Sequence, residues 1–185
     1  AAAAADAANS IATKSRPRPL ASIYARLEPF RIVNGYGLFR VMTKDRDEII
    51  IEGSNDGTEW QPYEFKYKPG DVNRRLPWVA PYQPRLDWQM WFASMSSTEE
   101  YPWTFNLVWK LLHNDRHALS LFAGNPFPER PPRYIRAVLY RYAFAKEGNL
   151  KHLWWNQERI GVWLLPVSVN DIILVDYLRG QGWIR

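Results

Sequence analysis

The 185-residue sequence has no cysteine, only three histidines and no long apolar run. Without cysteine, a disulfide framework, a thiolate metal site and a cysteine nucleophile are all excluded. That absence assigns no compartment, because oxidising environments permit disulfides without requiring them. The longest apolar stretches are Ile160 to Val169, broken by Pro166, and Ile172 to Val175. Both fall far short of the roughly 20 residues a helix needs to cross a bilayer. Scarce histidine also limits acid–base and metal chemistry. His113 and His117 stand four apart, which would put two imidazoles on one helix face, but Asn114, Asp115 and Arg116 lie between them. A zinc-hydrolase helix needs a glutamate directly after the first histidine and a third ligand elsewhere. Asn and Asp at these positions favour a helix break over a continuous ligand face. No serine occupies a G-x-S-x-G elbow, and no pair among the 19 acidic residues is singled out for glycoside cleavage. The expectation is a protein that is not an enzyme and holds no cofactor and no metal.

What the chain does have is aromatic surface. Ten tryptophans exceed what a core of this size readily hides, so some indoles are expected at the exterior. A hydrophobic share of 46% with 23% charged residues describes a folded globule of about one domain. The net charge of +5 is unevenly placed. Residues 1–27 carry Lys14, Arg16, Arg18 and Arg26 against Asp6, and residues 125–159 carry seven bases against Glu129, Glu147 and Glu158. Neither segment is dense enough to read as a nucleic-acid tract, and no accompanying motif supports one.

Residues 1–28 read as an extended, low-complexity basic arm, Ala/Ser-rich and then proline-punctuated, and residues 29–185 as a single domain. From Phe30 short strands are expected: Phe39, Val41 and Thr43 alternate with Leu38, Arg40 and Met42, and Glu48 to Glu52 is a β-branched run. The SNDG turn at 54–57 leads to Trp60–Tyr67, where Pro62 marks an edge or a bulge. Residues 69–84 are proline-rich and should lie extended. Helices are expected over Arg85–Met95, from Pro102 through Leu112, and over His117–Ala123. Tyr134–Phe144 alternates with apolar groups on both faces and predicts a central strand. A KEGN turn, a returning strand over Leu153–Leu164, and a final helix capped by Ser168 or Asn170 complete the pattern. The fold class is α+β: an antiparallel, sandwich-like sheet with three or four helices inserted in the middle and at the C-terminus.

Two segments carry candidate binding residues. In RLDWQMWF, Arg85, Asp87, Trp88, Trp91 and Phe92 combine charge with large aromatic area. They read either as a structural ion pair in an aromatic helix or as anchors for another protein, since Trp and Arg dominate binding hot spots. In NPFPERPPRYIR, the candidates are Phe127, Arg133, Tyr134 and Arg136. IEGSNDGTEW resembles the strand, turn and tryptophan of discoidin-type carbohydrate-binding sandwiches, where that stretch builds scaffold more than sugar site.

Longer strings carry a second resemblance. FRIVNGYGLFRVMTKDRDEIIIEGSNDGTEW, YEFKYKPGDVNRRLPWVAPYQPRLDWQMWF, NPFPERPPRYIRAVLYRY and the WW at 154 occur in order, and the stretch from about 29 to 183 is similar to the C-terminal soluble region of lipase maturation factors. That resemblance implies a non-enzymatic region on the lumenal side of a polytopic endoplasmic-reticulum membrane protein. Such a protein helps client lipases reach a folded, dimeric, active form. It implies protein partners, with Pro69–Phe92 and Asn125–Arg136 used for partner contact or for the scaffold behind it. Family members carry membrane helices before this region, whereas an Ala-rich arm precedes it here. The alternatives are an accessory structural subunit docked on a larger organellar membrane protein complex and peripheral to that membrane, or a carbohydrate-binding module. Membrane association is expected only through a missing segment or a partner.

Overall fold

Ile49, Ile50 and Ile51 form the middle of β1 (Arg46–Ser54), whose residues from Glu48 onward are all buried. β-branched side chains suit a strand covered on both faces. The computed structural model describes residues 45–79, 82, 84–145 and 153–184, all within the unit Asp45–Arg185. The expected arm at 1–28, the strands before Thr43, the 28/29 boundary and the KEGN turn lie outside the described residues. β1 pairs antiparallel with β2 (Gln61–Pro62) and with β3 (Tyr134–Phe144), and β3 pairs antiparallel with β4 (Trp155–Ser168). The sheet order is β2-β1-β3-β4, so β3 is central as its two-faced alternation predicts. β2 is the edge strand, where Pro62 is tolerated because its missing N–H faces away from β1; Tyr63 N still donates to Ile51 O at 2.8 Å, and Phe65 then forms a single bridge with Phe122.

Four helices complete the α+β architecture: α1 (Arg85–Ala93), α2 (Trp103–Leu112), α3 (Arg116–Leu119) and α4 (Ile172–Gly180). Among the described residues there is one sheet, with no second sheet facing it to make a sandwich. Ile49, Ile51, Ile135, Ala137 and Leu164 share one sheet face and join Met90, Leu107, Leu111 and Leu178 from the helices in one core. The expected bounds shift for local reasons. α1 ends at Ala93, because Ser94 turns its hydroxyl to the carbonyls of Trp91 and Asp47, both at 2.7 Å. α2 stops at Leu112 and Asn114 takes a positive φ of 49°, after which Asp115 caps the short α3 by accepting from Ala118 N at 2.8 Å. β4 continues past Leu164 to Ser168, so the cap of α4 is Asp171 instead of Ser168 or Asn170, accepting from Ile173 N and Leu174 N.

The segment after β2 is tied to the sheet through its backbone. Arg74 donates to the carbonyls of Phe65 at 2.7 Å and Lys68 at 2.8 Å. Tyr142 Oη donates to Gly70 O, Trp155 Nε1 donates to Arg74 O, and the Trp154 and Trp155 amides donate to Val72 O. Buried Lys68 donates to Ile49 O at 2.8 Å and lies 3.1 Å from Glu48 Oε2, while Arg46 bonds Glu48 Oε1 at 2.8 Å. The described part of 69–84 forms no strand or helix, as its prolines predict.

Candidate docking groove

α1, α2 and α3 do not close fully against one another. Between them lies an open groove of about 520 Å³, walled on one side by Lys66, Tyr67 and Tyr82. Leu86, Trp103, Leu107, Ala118 and Leu121 give it an apolar lining. Lys66, Arg85, Lys110 and His117 also line it, and all four are exposed. Trp103, Leu107 and Lys110 come together because positions i, i+4 and i+7 share a helix face. Lys66 is held in place by donating to the carbonyl of Ser120.

Asp87 is the one carboxylate in this lining. It is buried, and a single oxygen, Oδ1, accepts from Tyr67 N at 2.9 Å and Lys68 N at 3.0 Å. The charge of RLDWQMWF is therefore satisfied by backbone amides, and Asp87 joins α1 to the loop that forms the opposite wall. Lys110 also acts on Asp115, whose carboxyl is held below the usual range chiefly by the Ala118 amide and secondarily by this neighbouring ammonium. Asp115 itself is engaged in capping α3.

Beside the groove, α1 carries a ledge of three half-buried aromatic rings. Trp88 meets Trp91 edge-on at 5.5 Å and Phe92 at 6.0 Å, and the Arg46 guanidinium lies 5.5 Å from the centre of the Trp91 ring. Trp155 is the one fully buried tryptophan, and Trp78, Trp154 and Trp183 are exposed, which bears out the expected surface indoles.

The second candidate segment lies elsewhere. Phe127 is buried in the core against Tyr63, its amide donating to Asn125 Oδ1 at 2.9 Å. It acts as scaffold, as does Asp87. Arg133 and Tyr134 are exposed. Arg136 bonds Glu52 Oε2 at 2.7 Å and covers the Trp60 ring at 4.0 Å, on the sheet face opposite the helices. The sequence candidates thus occupy two surfaces. Trp60 also donates to Gly57 O, and Asp56 organises the SNDG turn by accepting from Thr58 N and Glu59 N, so this stretch builds scaffold. Sequence reading missed Lys66, Trp103, Lys110, His117 and Leu121 as groove residues. The i, i+4, i+7 spacing of Trp103, Leu107 and Lys110 is a signal that could have placed Lys110, whereas Lys66 arrives from a distant loop.

The histidines are divided by the helix break. His113 Nδ1 donates to Trp109 O at 2.8 Å, and His117 Nε2 accepts from Arg116 Nε at 3.3 Å. Among the described residues no group of three or more His, Cys, Asp or Glu side chains is placed to hold a metal ion. No helix among them is long and apolar enough to cross a membrane.

Comparison with known proteins places the chain in context. The family model described as the lipase maturation factor C-terminal domain matches residues 32–165. Lipase maturation factor 1 of Homo sapiens is 44% identical over 163 residues, covering 82% of this chain and 28% of that protein. Lipase maturation factor 2 of Rattus norvegicus is 40% identical over 166 residues, covering 86% of this chain and 24% of that protein. The chain therefore spans about a quarter of the length of these relatives. No solved structure matches it.

Proposed function

The chain belongs to the lipase maturation factor family, and from that premise we propose that it is a non-catalytic protein-binding domain that holds client lipases during folding and assembly. The observation that carries this reading is the open, apolar, cation-rimmed groove beside the Trp88–Trp91–Phe92 ledge. A client still folding exposes apolar surface that its finished form buries. An open groove flanked by large rings covers such surface by area and shape, without the enclosed, water-excluding pocket that bond-making chemistry uses. Aromatic rings give contact area at small conformational cost, and arginine at the rim adds direction. In this reading Asp87 and Phe127 support the contact surface from behind.

The proposed setting is the lumenal side of the endoplasmic-reticulum membrane, with the membrane reached through another segment or a partner. A second reading, an accessory structural subunit of a larger organellar membrane complex, draws on exposed apolar side chains away from the groove lining. Leu165 near the end of β4 and Ile172 and Ile173 at the start of α4 are 72%, 73% and 83% exposed. Such side chains suit a permanent interface.

The test is complementation. In cells lacking the endogenous family member, the full-length protein should restore secretion of active lipase. Replacing Trp88 and Phe92 together by alanine should lower that activity several-fold at equal protein level. Full activity from the paired variant would remove the ledge from the mechanism. If changes at Ile172 and Ile173 alone abolished function, the accessory-subunit reading would take precedence.

A further inference from the structure

The groove's charge is one-sided. Lys66, Arg85, Lys110 and His117 line it against a single carboxylate, Asp87, whose Oδ1 already accepts two backbone N–H groups. The cations stand on different elements: Lys66 on the loop, Arg85 on α1 and Lys110 on α2, with the His117 imidazole on α3 beside them. Between them the lining is apolar, with Leu86, Trp103, Leu107 and Leu121. A purely apolar occupant would leave Lys66, Arg85 and Lys110 beside it without a carboxylate beyond Asp87 in the groove to meet them. A basic occupant would be repelled. The complement is an apolar anchor with carboxylates on both sides, because charge complementarity selects the partner and apolar burial holds it.

We propose that this groove binds a client segment in which a leucine- or phenylalanine-type side chain is flanked by aspartate or glutamate. The apolar side chain sits between Leu86, Trp103 and Leu121, and the flanking carboxylates meet Arg85 on one wall and Lys66 and Lys110 on the other. The inference rests on the client-binding reading and adds the chemistry of the segment recognised. His117 accepts from Arg116 Nε at 3.3 Å and lines the α3 side of the groove.

The experiment uses the full chain and a fluorescein-labelled peptide in which a leucine–phenylalanine pair is flanked by glutamates on both sides, read by fluorescence anisotropy. Saturable binding is expected, weakening as salt rises towards about 0.5 M, where charges are screened within a few ångströms. A peptide with glutamines in place of the glutamates should bind at least about tenfold more weakly, and one with lysines should not bind measurably. The double variant Arg85→Glu/Lys110→Glu changes two exposed side chains and should lose the glutamate peptide while gaining the lysine peptide, with the cooperative urea transition kept and its midpoint lowered only modestly, since Lys110 also faces Asp115. Leu121→Ser should weaken the glutamate and glutamine peptides alike. Equal affinity for the glutamate, glutamine and lysine peptides, or no response to charge reversal, overturns the proposal. So does displacement of the peptide by oleate as effectively as by unlabelled peptide, which would assign the groove to acyl chains. Capture of an inactive lipase by the same chain separates the two levels of the argument. If lipase is held but the peptide is not, the groove assignment fails and the client-binding reading stands; if neither is held, both fail.

Discussion

Asp87→Ala should loosen the groove from behind without touching its rim. The buried carboxylate oxygen accepts from the amides of Tyr67 and Lys68 at 2.9 and 3.0 Å, joining α1 to the loop that carries Lys66 and Tyr67. Hydrogen bonds to a charged acceptor contribute about 1.5–3 kcal/mol each, and a buried amide left without an acceptor carries its own desolvation cost. After partial relaxation and rescue of the less buried Tyr67 amide by water, the expected loss is about 3 kcal/mol. For a chain of this length that lowers Tm by about 6–12 °C. Because both bonds converge on one oxygen, Asp87→Asn can present its amide oxygen to the same two donors and forfeits charge assistance alone, about 1 kcal/mol. Urea unfolding followed by tryptophan fluorescence measures both variants. Asp87→Ala within about 0.5 kcal/mol of the parent, the usual range for unremarkable surface changes, would refute the assigned role. An asparagine variant as damaged as the alanine variant would refute the reasoning about the shared acceptor.

Gly53 lies where an added Cβ would meet Phe127 Cε2 at 2.5 Å and Pro132 Cβ at 3.1 Å, both in stiff, packed surroundings. Gly53→Ala should therefore cost about 1–3 kcal/mol in urea unfolding. Gly70→Ala would meet the flexible Glu64 carboxylate and should cost under about 1 kcal/mol. Lys68→Met strips buried Glu48 of one of two cationic partners and should destabilise by about 3 kcal/mol, with much of it recovered in Glu48→Gln/Lys68→Met; a double-mutant cycle measures the coupling. The Asp56 carboxyl is held far below its usual range, chiefly by the Thr58 hydroxyl and then by the Thr58 and Glu59 amides. A depressed folded-state pKa gives stability that is complete above the unfolded value of about 3.9 and is lost as pH falls further. The urea midpoint should thus fall less steeply in acid for Asp56→Asn than for the parent; parallel curves would contradict this.

The sheet was legible where pattern and burial coincide. Tyr134–Phe144 alternates with apolar residues on both faces, and it is the central strand. Pro62 marked β2 as an edge strand, and Asn114 and Asp115 marked the break that separates the two histidines. Boundaries were less legible where a tertiary contact decides them. Ser94 ends α1 by reaching across to Asp47, and β4 outlasts its expected limit because Ile135 and Tyr134 of β3 offer partners to Val167 and Ser168. The candidate site was half legible. Arg85, Trp88, Trp91 and Phe92 share one helix and were visible as a cluster, but the opposite wall requires Lys66, Lys110 and Leu121 from three other places in the chain. Asp87 looked like half of an ion pair with Arg85. Its true partners are main-chain amides about 20 residues earlier, which no side-chain pattern announces.

The most direct measurement is the equilibrium binding of a purified lipase, in its inactive and its mature form, to the full-length protein, followed by intact-mass analysis of the lipase released. The account predicts saturable capture of the inactive form, weak or no capture of the mature form, loss of capture when Trp88 and Phe92 are both alanine, and a lipase of unaltered mass. Equal indifference to both forms, or a lipase returned with a covalent change, would contradict it.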